Sequence, residues 1–120
     1  MPNSELVKFQ VNSKAIVAVL NVEKILDDKV IKSIEDLILP QLHKYATDNL
    51  VIDFSKVNFL TSSFLGFLIR LSKYVYQNNG QLRLCGIDKK IQDIFRITRL
   101  DKIFDIHADI EKALLSIGQD

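Results

Sequence analysis

Strand-length apolar runs that alternate with helix-length segments constrain this chain more than any other feature of its sequence. Ala15 to Leu20 (AIVAVL) is a continuous apolar run of the kind found in a central strand. Leu50 to Phe54 (LVIDF) and Leu82 to Cys85 (LRLC) read as two further strands. Between them, Val30, Ile34, Leu37, Ile38, Leu42 and Tyr45 recur at helical spacing. Pro40 is expected to bend or interrupt that helix, because it lacks a donor and crowds the preceding turn. Ser62 to Gln77 is the clearest helix and stops before Asn78-Asn79-Gly80, a capping and turn signal. Alternation of this kind implies right-handed crossovers and a largely parallel sheet.

The two ends complete the pattern. Leu6 to Val11 alternates apolar and polar residues, and with Asn12-Ser13 as a two-residue turn it forms an opening hairpin with Ala15–Leu20. Asn21 to Asp28 reads as a polar connection broken by Ile25 and Leu26. Asp88 is a good N-cap for a helix through about Ile97. Lys102 to Ile106 reads as a short strand, and Asp109 caps a last helix, Ile110 to Ile117, with Gly118 at its end. The expected order is β-β-α-β-α-β-α-β-α. The expected fold is α/β: a mixed, mostly parallel sheet with an N-terminal antiparallel hairpin and about four helices. With four Gly and two Pro in 120 residues there is no linker, so 1–120 is read as one domain with its core at about 6–117.

Composition removes whole classes of function. Hydrophobic residues make up 48% and charged residues 26%, which is too apolar for a disordered chain. Lys+Arg is 16 against 15 Asp+Glu, a net charge of +1, so no direct nucleic-acid binding is expected. The N-terminal MPNSELVKFQ lacks the basic and apolar regions of a signal peptide, and no run approaches a membrane span of about 18 residues. A cytoplasmic protein without membrane insertion is expected. Cys85 is alone, and neither zinc-ligand spacing nor a Gly-rich phosphate loop occurs, so no metal and no cofactor are expected. Cys85 reads as a buried small hydrophobe. His43 and His107 read as surface or end contacts, and Arg96, Arg99, Lys89, Lys90 and Lys102 as mostly solvated. No catalytic constellation can be assembled from these residues, and the chain is read as a non-enzyme.

The segment Asp53 to Gly66 (DFSKVNFLTSSFLG) carries the most information. A strand ends at Asp53, a loop carries Val57 and Phe59-Leu60, and a helix opens at Thr61-Ser62-Ser63. One hydroxyl of that triplet is expected to cap the helix, Ser62 in the plainest reading. The first turn holds no Asp or Glu, so a phosphate on Ser62 or Ser63 would be tolerated by the amides and dipole there. Around the helix, Gly66, Arg70, Lys73 and Gln77 form a narrow polar face. The apolar arc is wider than the ~100° that a surface helix needs. Part of it is covered either by a neighbouring helix or by a partner, and Phe64 and Phe67 are expected on the open side.

These motifs, DFSKVNFL, TSSFLG, NGQLRLCG and ITRLDKIF, in this order, resemble a STAS domain of the anti-sigma-factor antagonist type. The resemblance runs from about Val7 to Leu115. It implies a regulatory binding module. Its partners would be an anti-sigma factor with serine kinase activity and a serine phosphatase. The position matching the family phosphoacceptor is Ser62, with Ser63 and Thr61 as secondary candidates. The implied partner surface comprises Asp53, Phe59, Thr61, Ser62, Ser63, Phe64, Leu65 and Phe67. Asp53 matches the strand-terminal Asp of the family. A receiver domain would instead need an acidic pair at an early strand end, a late Lys and a strand-helix start. Two positions depart from the family pattern: Thr61 stands where the family has Asp, and Phe64 where it has Gly. Phe64 is expected to add bulk where a partner approaches. The alternative implied is a constitutive STAS scaffold or accessory subunit of a stress-signalling or transport complex. Self-association through the Phe64 patch is a further expectation.

Overall fold

In the computed structural model, residues 6–44 and 48–118 are described. The strands in chain order are β1 (Val7–Val11), β2 (Ile16–Leu20), β3 (Lys24–Ile25), β4 (Leu50–Asp53), β5 (Phe59–Leu60), β6 (Leu82–Cys85) and β7 (Asp105–His107). Five of them form one sheet, ordered β1-β2-β4-β6-β7 from edge to edge. Only β1 and β2 are antiparallel in it, with Val7 opposite Leu20 and Val11 opposite Ile16. The β2–β4, β4–β6 and β6–β7 pairs are parallel. Helices α1 (Asp28–Lys44), α2 (Ser62–Gln77), α3 (Lys89–Ile97) and α4 (Ile110–Ser116) supply the connections and the C-terminus. The α/β class, the hairpin and the four helices are as the sequence led us to expect.

Period two along the strands divides the molecule into layers. Ile16, Ala18, Leu20, Leu50, Ile52, Leu82 and Leu84 share one core with the apolar faces of α1, α2 and α3. Val17, Val51 and Cys85 point the other way, onto Ala113 of α4 and Ile117 at its C-cap. Both faces of the central strands are therefore covered, which explains the unbroken apolar runs of β2 and of β4 up to Asp53.

Several local expectations are corrected. The hairpin turn is not the two-residue Asn12-Ser13: the Asn12 amide bonds the Ala15 carbonyl, and Asn12 Oδ1 accepts from the Lys14 amide at 2.9 Å. The polar connection after β2 holds the two-residue strand β3, which pairs in parallel with β5 from the central loop. Both are too short to show periodicity. Helix α1 starts earlier than Val30, because Asp27 caps it by accepting from the Val30 amide at 2.9 Å. Pro40 does not interrupt it: the proline is exposed, where water can take the carbonyl it frees. Tyr45 and the side chain of His43 lie outside the described residues. The strand expected at Lys102–Ile106 is instead a 3-10 turn at Leu100–Lys102 followed by β7. His107 ends that strand and is half-buried, with Nε2 3.5 Å from Asp105 Oδ1.

Asp88 and Asp109 cap α3 and α4 as expected, accepting from the Ile91 and Lys112 amides at 2.9 Å. Arg83 was not anticipated. It is buried in β6, and its guanidinium donates to Ser116 Oγ at 2.8 Å and lies 3.4 Å from Asp105, tying the end of α4 to the sheet. A buried cation is tolerable only with such partners.

Candidate functional site

The route from β4 to α2 starts at Asp53. Its carboxylate is buried and accepts from the Ser55 amide and hydroxyl, which turns the chain out of the sheet. The loop then returns to pair with β3: the Asn58 and Phe59 amides both bond the Glu23 carbonyl. In that pairing Ile25 and Leu60 turn into the core. Lys24 and Phe59, which stand opposite each other, turn out. Phe59 is 49% exposed, and Leu26, directly after β3, is 57% exposed. Leu26 is the surface residue that sequence reasoning missed. Its apolar character was visible, but the strand that aims it outward was not.

Thr61, immediately after Phe59-Leu60, is the N-cap of α2. Its backbone is extended and its Oγ1 accepts from the Phe64 amide at 3.4 Å. This corrects the reading of Ser62 as the cap. Ser62 and Ser63 occupy the first turn, both exposed, and that turn contains no acid. Ser63 lines a cavity of about 390 Å³ with Gly66 and Arg70 of its own helix and Asp28, Lys32 and Glu35 of α1.

The aromatic side chains behave differently from expectation. Phe64 is 0% and Phe67 2% exposed. Phe64 packs edge-on against Phe54 with ring centroids 6.2 Å apart, and 5.5 Å from Phe67. Leu65 is also buried. The wide apolar arc of α2 is covered by the sheet and by α1, so Phe64 and Phe67 do not form an open patch. The bulk at position 64 goes into the core, because the first turn of α2 sits directly over Phe54.

Asp53 does not reach this surface. Besides Ser55, its carboxylate neighbours Cys85, whose Sγ lies 3.8 Å from Oδ1. Burial and the adjacent carboxylate push the Cys85 thiol up to about 12, so a thiolate is disfavoured there. Arg96, Arg99, Lys89, Lys90 and Lys102 are exposed, as expected. Among the described residues, no three His, Cys, Asp or Glu side chains are grouped to hold a metal ion. No described helix is long and apolar enough to cross a membrane. What the geometry brings together is an exposed apolar pair, Leu26 and Phe59, beside two exposed hydroxyls at an acid-free helix start.

Solved structures with the same fold include TM1081 from Thermotoga maritima, at a TM-score of 0.84 and 16% identity, covering 98% of each chain. An anti-sigma-factor antagonist (STAS) domain protein from Planctomyces limnophilus gives 0.80 at 18% identity, covering 93% of this chain and 97% of that one. The Bacillus cell fate determinant SpoIIAA in its phosphorylated form gives 0.69 at 16% identity, covering 92% and 98%. At such identities the likeness establishes the fold. Membership comes from the sequence itself, since the model of the STAS domain matches residues 8–113. With that match spanning β1 to α4, and with the hairpin, sheet order and β5–α2 junction in place, the chain belongs to the STAS domain family.

Proposed function

We propose that this protein is an anti-sigma-factor antagonist that binds an anti-sigma factor with serine kinase activity, and that phosphorylation of Ser62 switches the binding off. The observation that carries this reading is the position of Ser62: exposed, in an acid-free first turn, next to exposed Phe59 and close to Leu26. With a neutral Ser62, an apolar partner surface can close over Leu26 and Phe59, burying about 25 cal/mol per Å² of apolar area. A phosphate adds ~1.5–2 negative charges at that edge. Burying it against an apolar face without a pairing group costs several kcal/mol. In the free protein the same phosphate is accommodated by the helix amides. A serine phosphatase would reset the switch. The site is a substrate for a partner's chemistry and not a catalyst, and it would operate in the cytoplasm, where nucleoside triphosphate is available.

The fold neighbour SpoIIAA has been solved both unphosphorylated and phosphorylated, which supports a STAS fold that carries this modification. The burial of Phe64 supports the reading too, since that departure from the family pattern does not crowd the approach to Ser62. The partner surface is accordingly Leu26, Phe59, Thr61, Ser62 and Ser63. Asp53, Phe64, Leu65 and Phe67 hold that surface from beneath.

Thr61 in place of the family Asp favours a second reading, a constitutive scaffold in a stress-signalling or transport complex. The experiment is phosphosite mass spectrometry on protein isolated from its native cells, with Ser62→Ala as control. Phosphate on Ser62 that is absent from the control supports the switch. A triplet unmodified across growth and stress conditions supports the scaffold.

A further inference from the structure

The two adjacent serines at the start of α2 face different surroundings. Resting on the phosphoswitch reading of this site, we propose that Arg70 is an internal receptor for a phosphoryl group on Ser63, whereas the same group on Ser62 meets the helix amides, solvent and partner but no guanidinium. The two hydroxyls then encode different outputs.

Ser63, Gly66 and Arg70 lie three and four residues apart, on one face of α2, and all three line the 390 Å³ cavity against α1. Helical side chains lean toward the N-terminus, and Arg70 follows that rule. Its Nη1 lies 3.8 Å from where a Cβ on Gly66 would be, so the guanidinium folds back over the glycine toward Ser63. Nothing at position 66 stands between them. Among the described residues the Arg70 side chain has no hydrogen bond or ion pair, so its guanidinium donors are available. Ser62 is about 100° further round the helix and is not among the residues lining the cavity.

The opposite wall explains why only a tethered anion would be held. Asp28 and Glu35 oppose Lys32 and Arg70, so the four charged residues of the cavity sum to zero. Lys32 is further engaged by Asp36 at 3.1 Å. A free anion gains little from such a lining. A phosphoryl group on Ser63 arrives at high effective concentration. As a dianion with three acceptor oxygens it engages the unpaired Arg70 fork more strongly than a single carboxylate such as Asp28 or Glu35 of the same lining can. The group would come by transfer from a nucleoside triphosphate: the bond from Ser63 Oγ to phosphorus forms, the bond to the leaving nucleoside diphosphate breaks, and the hydroxyl proton passes to a base on the kinase.

The test installs phosphoserine at position 62 or 63 of the full chain during translation and follows each phosphate by ³¹P NMR against pH. The second ionisation of phosphoserine is ordinarily near 6. We expect it about half a unit lower at 63 than at 62, the size of a partly exposed ion pair. Arg70→Gln should abolish the difference, and Lys73→Gln, on the exposed polar face outside the cavity, should leave it intact. Equal titration at both positions, or a difference that survives Arg70→Gln, overturns the proposal. Because the phosphate is installed and not enzymatically added, a failure here is distinct from a failure to find phosphate in native cells.

Discussion

Asp53 and Ser55 are joined by two hydrogen bonds: the Ser55 amide donates to Oδ1 at 3.2 Å and the hydroxyl to Oδ2 at 2.9 Å. This clamp converts the end of β4 into the loop that carries Phe59 outward and Thr61 to the start of α2. Gly86 lies against it, with φ of 68° and a would-be Cβ 2.5 Å from Oδ1, so position 86 needs both the conformation and the absent side chain of glycine. Asp53→Ala removes both acceptors and leaves the part-buried Ser55 hydroxyl without its partner. Urea denaturation should show a loss of about 1–3 kcal/mol, with Asp53→Asn losing less.

The aromatic residues near Ser62 should separate cleanly by stability. Phe64→Ala opens a cavity beside Phe54 and Phe67 and should cost about 3–5 kcal/mol. Phe59→Ala and Leu26→Ala, at exposed positions, should stay within about 0.5 kcal/mol. A large loss for Phe59→Ala would place that ring in the core and remove it from the docking surface.

Thr61 caps α2 through a long, 3.4 Å hydrogen bond. Thr61→Ala should therefore cost about 0.5–1 kcal/mol, the lower part of the range for caps. Thr61→Asp should raise stability by a few tenths, since it restores an acid to the positive end of the helix. Thermal melts of the three proteins give the order directly, and a Thr61→Asp protein less stable than wild type would mean that position 61 does not meet the helix amides.

Cys85 should make stability fall at alkaline pH. The thiol is neutral in the fold and its ionisation is pushed from 9.0 up to about 12, so the unfolded chain loses its proton first. The contribution is fully present below pH ~9 and is lost as pH rises toward 12, at about 1 kcal/mol per unit. Comparing wild type with Cys85→Ala between pH 8 and pH 10.5 isolates it from lysine and tyrosine ionisation. In the native protein the thiol should also resist a thiol-specific reagent at pH 8, reacting only on unfolding.

Gly80 follows the end of α2 where the chain passes Asp48. A Cβ there would fall 1.9 Å from the Asp48 carbonyl oxygen, which is backbone and cannot swing aside. Gly80→Ala should cost at least about 1–3 kcal/mol through a forced shift of the connection into β6. A neutral result would show that this connection moves freely.

The elements with strong periodicity were legible in the sequence. AIVAVL and the LVI of LVIDF read as buried strands, because a run without polar alternation has no side to show to water, whereas LRLC carries Arg83 and its cover on the second face was not legible. Asp88 and Asp109 announced their helices, since a cap is a local bond between a side chain and an amide three residues on. The start of α2 at the Thr61-Ser62-Ser63 triplet and the lack of an acid in its first turn were read by the same local logic, whereas the exposure of both serines came from the fold.

Contacts between distant segments settled the rest, and no local pattern encodes them. Lys24–Ile25 and Phe59–Leu60 carry no two-residue signal, and they become strands only because the loop after β4 returns to meet the segment after β2. That pairing alone determines that Ile25 and Leu60 go inward while Leu26 and Phe59 face out. The wide apolar arc of α2 required a cover of some kind. Whether that cover was α1 or a partner turned on how α1 packs, so Phe64 and Phe67 went to the core and not to the surface. Periodicity reports how much of a helix is apolar, and packing decides which part of it meets water.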